Sequence, residues 1–193
     1  REDPVVFHLR NGVTMEVPLL LYHEFKEIFL EDCYLQGFEK PLPDSPIVVD
    51  IGANAGFFCL QIASHRPKAR ILCCEPIPVN FAQLSRNAAI NPNLDITARQ
   101  VAVYGHTGSM QLLVEWEDAL STAATVLAVG GRIPMEVPCV NLQDLFDRHG
   151  LDRVDLVESP VAIGRIADVV EDEELRLRTH EHRVADPGAL QVG

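Results

Sequence analysis

The sequence lacks long apolar runs and is poor in basic residues. No window approaches the roughly 18 consecutive apolar residues of a membrane-spanning helix. Only 16 Lys and Arg residues stand against 28 Asp and Glu residues, which gives a formal net charge of -12. Nucleic acids and anionic membranes bind basic faces, so neither is expected as a partner. The charge indicates little else, because many soluble enzymes are acidic.

Cysteines in a metal-binding spacing and a signal peptide are also missing. The cysteines are odd in number and scattered: Cys33, Cys59, Cys73, Cys74 and Cys139. We interpret them as small buried hydrophobic residues in a reducing compartment, and we expect no metal site. The N-terminal "REDPVVFHLRNG" lacks the charged-then-apolar layout of a secretory signal, so we expect a cytoplasmic protein.

The length of 193 residues suits a single domain. Residues 1–43 are expected to form a cap, and residues 44–193 a cofactor-binding core. In the cap, "VVFHL" and "VTMEVP" flank Asn11-Gly12, which predicts a two-residue hairpin turn with positive φ at both positions. A helix should follow, because apolar residues recur at helical spacing: Tyr22, Phe25, Ile28 and Phe29.

The core alternates between strand and helix patterns. "PIVVDI", "ARILCCEP" and "DITARQVAV" read as strands, while "AGFFCLQIASH" and "PVNFAQLSRNAAIN" read as helices. This order predicts an α/β fold with a doubly wound, mostly parallel sheet. Two further strands, "SMQLLVEW" and "MEVPCV", precede a helix "NLQDLFDRHG" with Asn141 as N-cap and Gly150 past its end, and "DRVDLV" is a fourth buried strand.

The stretch "VVDIGANAGFF", residues 48–58, predicts a ligand-binding loop between the first strand and its helix. Gly52 and Gly56 permit a tight turn and close backbone approach. Ala53-Asn54 breaks the Gly-x-Gly-x-x-Gly spacing of dinucleotide-binding loops, and no Lys followed by Ser or Thr marks a phosphate-binding loop. The loop therefore favours a ligand without a pyrophosphate.

Two acids point to the charge of that ligand. Asp50 ends the first strand and Glu75 follows the second, where a carboxylate can accept hydrogen bonds from both hydroxyls of a ribose. The pair suits an adenosyl ligand that carries positive charge, such as S-adenosylmethionine. Two alternatives remain: Asp50 capping the turn, and the ribose-binding acid that nicotinamide-dependent proteins share with Glu75.

The sequence resembles the FkbM-type S-adenosylmethionine-dependent methyltransferases from about Phe25 to Val157. The resemblance rests mainly on "VVDIGANAGFFCLQIA" and "CCEPIPVNFAQLSRNAAIN", with support from "EIFLEDCY", "VAVYGHTG" and "NLQDLFDRHGLDRVDLV". It implies a class I methyltransferase fold with a mostly parallel seven-stranded sheet. It also implies that the chain uses S-adenosylmethionine to methylate a hydroxyl group on a sugar or natural product.

The resemblance also implies roles for individual residues. The loop would hold the methionine part of the cofactor, Glu75 the ribose, Ile77 the adenine face and Val101 the adenine edge. Tyr34 would close over the cofactor, with ordinary helix packing as the alternative. The implied cofactor-binding set is Tyr34, Asp50, Gly52, Ala53, Asn54, Gly56, Glu75, Ile77 and Val101. No catalytic base is assigned: His106 is the histidine nearest in sequence, and we interpret it as a solvated loop residue.

The chain departs from the family after the fourth strand. Members normally continue into a Lys-x-Asp-x-Glu-Gly-type run near the cofactor, whereas here "VDLV" passes directly to "ESPVAIG". Either part of the active-site wall is lost, or residues are missing from the sequence at this point, which is our hypothesis. We therefore expect a methyltransferase; the alternatives are a non-catalytic cofactor-binding module and a nicotinamide-dependent oxidoreductase.

Overall fold

The computed structural model describes residues 3–31, 41–114, 120, 133–159 and 179–181. Within these residues lie ten strands, four α-helices and a short 3₁₀ helix, Leu19–Leu21. In chain order they are β1 (Val5–His8), β2 (Thr14–Val17), α1 (Tyr22–Phe29), β3 (Ile47–Ile51), α2 (Phe57–His65), β4 (Arg70–Cys74), α3 (Pro78–Ala89), β5 (Asp95–Arg99), β6 (Ala102–Val103), β7 (Gly108–Val114), β8 (Ile133–Val140), α4 (Leu142–His149), β9 (Leu156–Ser159) and β10 (Thr179–Glu181).

A parallel sheet forms the centre of the fold. Its strand order is β10-β9-β3-β4-β5, and all four neighbouring pairs are parallel. Val48 and Val49 of β3 are fully buried, as the unbroken apolar run of that strand predicts. The α/β class and the parallel sheet are thus confirmed. This sheet has five strands within the described residues, so the expected seven-stranded count is not reproduced there.

Alternate residues of the central strands enter two different cores, as the twofold side-chain period of a strand requires. Val48 and Ile71 lie in a core with α2 and the N-terminal elements, while Val49 and Leu72 lie in a core with α4. The first core also contains Met15 of β2, together with apolar residues of α1. The N-terminal segment therefore packs directly on the sheet.

A second sheet contains three strands in the order β6-β8-β7. β6 runs parallel to β8, and β7 runs antiparallel to it along its whole length. The two strands predicted after the third core strand are thus present and paired with each other. The third core strand itself is shorter than expected: β5 ends at Arg99, and Val101 lies between β5 and β6.

The N-terminal hairpin is confirmed, but its predicted turn is wrong. β1 and β2 pair antiparallel, with His8 opposite Thr14. The turn is closed by Gly12 N–H donating to Leu9 O at 3.0 Å, and Gly12 has φ 90°. Asn11 is not among the residues with positive φ. Its side chain instead accepts from Val13 N–H and donates to Ser64 O, which ties the hairpin to the end of α2.

The helices match their predicted signals with one correction. α1 ends at Phe29, and its apolar stripe is only partly buried, because Phe25 and Ile28 are enclosed while Tyr22 is exposed. α4 is capped as expected: Asn141 Oδ1 accepts from Asp144 N–H at 2.8 Å, and Gly150 adopts φ 57°. None of the described helices has the length and apolar character needed to cross a membrane.

Two cysteines correct the expectation of free thiols. Cys59 of α2 and Cys73 of β4 are both fully buried, as expected, but their sulfur atoms are joined in a disulfide. Cys74 and Cys139 are buried and free. The pairing was not foreseen because neither residue lies in a recognisable disulfide pattern.

Candidate functional site

The site lies at the carboxyl edge of the parallel sheet, where β3 meets its neighbours. The chain passes from β3 to β4 on one side, while β9 joins β3 from the other. In open α/β sheets ligands bind at such a reversal of strand order. Asp50 stands opposite Cys73 on β4 and opposite Glu158 on β9. The strand order therefore places residues from three strands around the loop that follows Asp50.

The loop between β3 and α2 has an unusual backbone. Gly52, Asn54 and Gly56 have φ values of 78°, 48° and 81°. A Cβ at Gly56 would lie 2.6 Å from Leu84 Cδ1, so the end of the Leu84 side chain would have to shift, and the positive φ of 81° favours glycine. The two glycines singled out in the sequence are thus needed for the shape of the loop.

Several backbone donors of this loop are already engaged by the protein. Gly52 N–H and Ala53 N–H both donate to Cys74 O, at 2.8 and 3.1 Å. Asn54 N–H donates to Glu75 Oε2 at 2.8 Å. A phosphate-binding loop presents such N–H groups to its ligand. Here they are used to fasten the loop to β4, which agrees with the absence of a phosphate-binding motif.

Glu75 fixes the loop as well as lining it. Its Oε2 accepts from Asn54 N–H, and its Oε1 accepts from Ile77 N–H at 2.9 Å. Burial raises the pKa of Glu75 to about 7, against the opposing effect of hydrogen bonds from Ile77, Asn54 and Asn80. Each carboxylate oxygen can accept two hydrogen bonds, so capacity remains for a ligand hydroxyl.

Asp50 lies beneath the loop. It is 2% exposed, and its Oδ2 lies 2.9 Å from Cys59 Sγ. Burial, and next the charges of Glu158, Glu75 and Glu24, raise the pKa of Asp50 well above its ordinary value.

Two more acids belong to the site and were missed in the sequence. Glu24 of α1 accepts from Asn54 Nδ2 at 3.0 Å, and burial together with Glu75 and Glu27 raises its pKa to about 7. Glu158 of β9 is 3% exposed, and burial raises its pKa to about 7. In the sequence, Glu24 lies within an amphipathic helix pattern. For Glu158 the only available signal was its position directly after Val157, the last residue of the predicted fourth strand.

Buried amides connect the loop to the N-terminal hairpin. Asn87 Nδ2 donates to Ala55 O at 2.9 Å, while its Oδ1 accepts from Glu16 N–H at 2.8 Å. Asn91 makes a similar pair of bonds to the backbone of Thr14. Asn80 and Asn87 are each 1% exposed. The amides recur at helical spacing along α3, a signal that could have identified them.

The structure gives less detail on the surroundings of the other predicted residues. Ile77 is buried at the start of α3, and Val101 is half-buried beyond the end of β5. Tyr34 lies outside the described residues. His106 is exposed and its Nε2 lies 3.2 Å from Ser109 O, as expected for a loop histidine. No catalytic base is identified by these positions.

One group of side chains in the described part of the chain has the composition of a metal site. Asp50, Cys59 and Cys73 have ligand atoms within 4.8 Å of one another, and all three are buried. The two sulfur atoms are bonded to each other, however, so no thiolate is left to bind an ion. The disulfide thus removes two of the three ligands.

Comparison with known proteins identifies the family. A family model described as the methyltransferase FkbM domain matches residues 50–158, more than half of the chain. Methyltransferase sdnD of Sordaria araneosa is 31% identical over 166 residues, which cover 71% of this chain and 63% of that protein. The 31-O-demethyl-FK506 methyltransferase FkbM of Streptomyces tacrolimicus is 42% identical over 65 residues, 33% of this chain and 24% of that protein.

Among solved structures, methyltransferase FkbM of Methylobacillus flagellatus KT matches 67% of this chain and 29% of that one, with 14% identity and a TM-score of 0.46. The chain spans less than two thirds of the curated relatives it matches. The family match begins at Asp50 and ends at Glu158. This chain belongs to the FkbM methyltransferase family.

Proposed function

We propose that the protein binds S-adenosylmethionine at the carboxyl edge of β3 and transfers its methyl group to a hydroxyl of a small molecule. The observation that supports this most strongly is the site's charge. Four acids of the described residues lie around one loop: Glu24, Asp50, Glu75 and Glu158. Asp50, Glu75 and Glu158 are buried, and the charges of the other three acids raise the pKa of Asp50. Such a site favours a cationic ligand and repels the phosphates of nucleotides.

The residues fit this cofactor. When bound, S-adenosylmethionine supplies an activated methyl group on a sulfonium. Glu75 has acceptor capacity left for one ribose hydroxyl, and the apolar Ile77 and Val101 would flank the adenine. The loop from Asp50 to Gly56 would hold the methionine part, with Tyr34 as a further proposed contact. The protein's own task is to orient the two reactants and exclude water.

The finer parts of the proposal rest on the family. The name of the Streptomyces tacrolimicus relative, 31-O-demethyl-FK506 methyltransferase, describes methylation at an oxygen. By analogy, we extend to this chain a hydroxylated acceptor of the sugar or natural-product type, within a single class I methyltransferase domain. A cytoplasmic location and the absence of nucleic-acid and membrane partners belong to the same proposal.

A transfer assay tests this function. The protein is incubated with methyl-labelled S-adenosylmethionine and a panel of hydroxylated sugars and natural products. We expect labelled, mass-shifted product with at least one acceptor, together with formation of S-adenosylhomocysteine. Heat-inactivated protein is the control. Label transfer to amines or thiols but to no hydroxyl would contradict the oxygen specificity.

The end of the family match favours a second candidate. The match stops at Glu158, so the run that normally completes the wall beside the cofactor is not recognisable in this chain. The protein would then be a cofactor-binding module without transferase activity. Binding of S-adenosylhomocysteine without transfer to any acceptor of the panel would support this alternative.

A further inference from the structure

Glu24 differs from the other acids around the loop in its exposure. Asp50, Glu75 and Glu158 are buried, whereas Glu24 of α1 is only half-buried. One of its carboxylate oxygens, Oε2, accepts from Asn54 Nδ2 at 3.0 Å. The other oxygen, Oε1, accepts no hydrogen bond from any described residue. Glu24 is therefore the acid of this site that can meet a molecule arriving from solvent.

The packing of α1 places Glu24 beside the loop. Phe25, its neighbour in the chain, packs edge-on against Phe57 with 6.1 Å between the ring centroids. Phe57 is the first residue of α2, directly after the loop. In the proposed binding mode this loop holds the methionine part of the cofactor, which carries the sulfonium and its methyl group. Glu24 thus lies at the reacting end of the cofactor.

Methylation of a hydroxyl requires a group that removes the hydroxyl proton. Such a base is most effective when its pKa lies near the working pH. Burial, and next the charges of Glu75 and Glu27, raise the pKa of Glu24 to about 7. Both oxygens of Glu75 already accept backbone hydrogen bonds, while Asp50 and Glu158 are enclosed in the protein. Among the four acids, Glu24 combines a suitable pKa with an accessible oxygen.

We propose that Glu24 is the catalytic base that takes the proton of the acceptor hydroxyl. This inference rests on the proposed function, because it needs a methyl donor in the site. The proton moves to Glu24 Oε1 while the acceptor oxygen forms its bond to the methyl carbon. The carbon–sulfur bond breaks and its electron pair stays on sulfur, which gives a methyl ether and S-adenosylhomocysteine. Glu24 then releases the proton to water. Asn54 is a positioning residue, since its bond to Oε2 leaves Oε1 for the acceptor.

Glu24→Gln tests the base, because glutamine keeps the size and can still accept from Asn54 Nδ2. Methyl transfer is measured at saturating S-adenosylmethionine with a panel of hydroxyl acceptors that includes methyl glucoside and catechol. We expect kcat with the fastest acceptor to fall about 100-fold or more. The Kd of S-adenosylhomocysteine should change by less than about threefold. Glu24→Asp keeps a carboxylate and should regain part of kcat. The control Glu136→Gln removes an exposed acid of β8 and should match the unaltered protein.

The pH dependence of kcat gives a second readout, which a purely structural role of Glu24 would not produce. A base must be deprotonated, so kcat should rise with pH to a plateau, with its midpoint at about pH 7 or below. The charges of Glu75 on β4 and Glu27 on α1 face Glu24, and Asp50 on β3 is coupled to it. Glu27→Gln removes one of these charges, so it should move the midpoint to lower pH and keep the plateau within about twofold.

The outcomes separate this inference from the proposed function. If Glu24→Gln keeps the kcat of the unaltered protein, the inference is wrong and the proposed function stands. A loss confined to the affinity for S-adenosylhomocysteine would likewise overturn it, since Glu24 would then hold the cofactor and take no proton. If the unaltered protein methylates no acceptor of the panel, the proposed function fails and the inference with it. Should Glu24→Gln not fold, the Glu27→Gln profile decides, and an unchanged midpoint overturns the inference.

Discussion

Replacing Glu158 by glutamine should weaken the dependence of the protein's stability on pH. The pKa of Glu158 is raised from 4.5 to about 7 by burial, so the folded protein favours the protonated side chain. A raised pKa contributes stability that is fully present below the unfolded value and is lost as the pH rises through the folded value. The ligand-free protein should therefore lose stability between about pH 4.5 and pH 7 or somewhat above.

The size of the effect follows from the pKa. A rise from 4.5 to about 7 corresponds to about 3 kcal/mol, at about 1.4 kcal/mol for each tenfold change in proton affinity. Glutamine does not titrate, so Glu158→Gln removes this contribution to the pH dependence of the unfolding free energy. Glu24, Glu75 and Asp50, whose pKa values are also raised, remain in the variant and keep part of the slope.

Urea unfolding at pH 5 and pH 8 measures the effect. We expect the difference in unfolding free energy between the two pH values to be about 3 kcal/mol smaller in Glu158→Gln than in the unaltered protein. Groups that do not interact with Glu158 cancel, because they are common to both proteins. The pKa of Asp50 is raised in part by the charge of Glu158, so its contribution also falls in the variant and adds to the difference. The exposed Glu136→Gln control should keep the original difference. Equal slopes in all three proteins would refute the assignment of Glu158 as a buried carboxyl without a compensating cation.

Three further predictions follow from the loop and the cysteines. Glu75→Ala leaves Asn54 N–H and Ile77 N–H without their acceptor, which should destabilise the protein by about 2–5 kcal/mol in urea unfolding; a change below about 1 kcal/mol would contradict the role of Glu75 as the loop's anchor. Gly56→Ala places a Cβ at a backbone φ of 81° and close to Leu84, so we expect the free energy of unfolding to fall by about 2–4 kcal/mol. In the control Gly105→Ala the Cβ meets nothing within 4 Å, so the free energy of unfolding should change by less than about 0.5 kcal/mol. Equal effects of the two variants would argue against the loop geometry. Alkylation of the denatured, unreduced protein should leave Cys59 and Cys73 unmodified in peptide mass spectrometry, and their full alkylation would show that they are free thiols.

The strand and helix order of the core was predictable because each element carries a strong local signal. The buried runs of β3 and β4, and the caps of α4 at Asn141 and Gly150, appear in the structure where the sequence indicates them. The prediction of the hairpin turn was wrong because the side chain of Asn11 donates a hydrogen bond to Ser64 O, 53 residues away in the chain. Long-range contacts of this kind leave no local pattern.

The site was predictable only in part for the same reason. Asp50, Glu75 and the glycines follow directly from strand ends and turn chemistry. Glu24 and Glu158 reach the loop from elements far away in sequence, and only the packing of α1 and the pairing of β9 with β3 bring them there. The orientation of Asp50 towards Cys59 likewise depends on how α2 lies on β3.

The central claim is that this acid-lined loop binds a cationic adenosyl cofactor without phosphates. Calorimetric titration of the unaltered protein with S-adenosylhomocysteine and with NAD tests it most directly. We predict saturable binding of one S-adenosylhomocysteine per chain and no measurable heat of binding with NAD. Saturable binding of NAD, without binding of S-adenosylhomocysteine, would contradict the account.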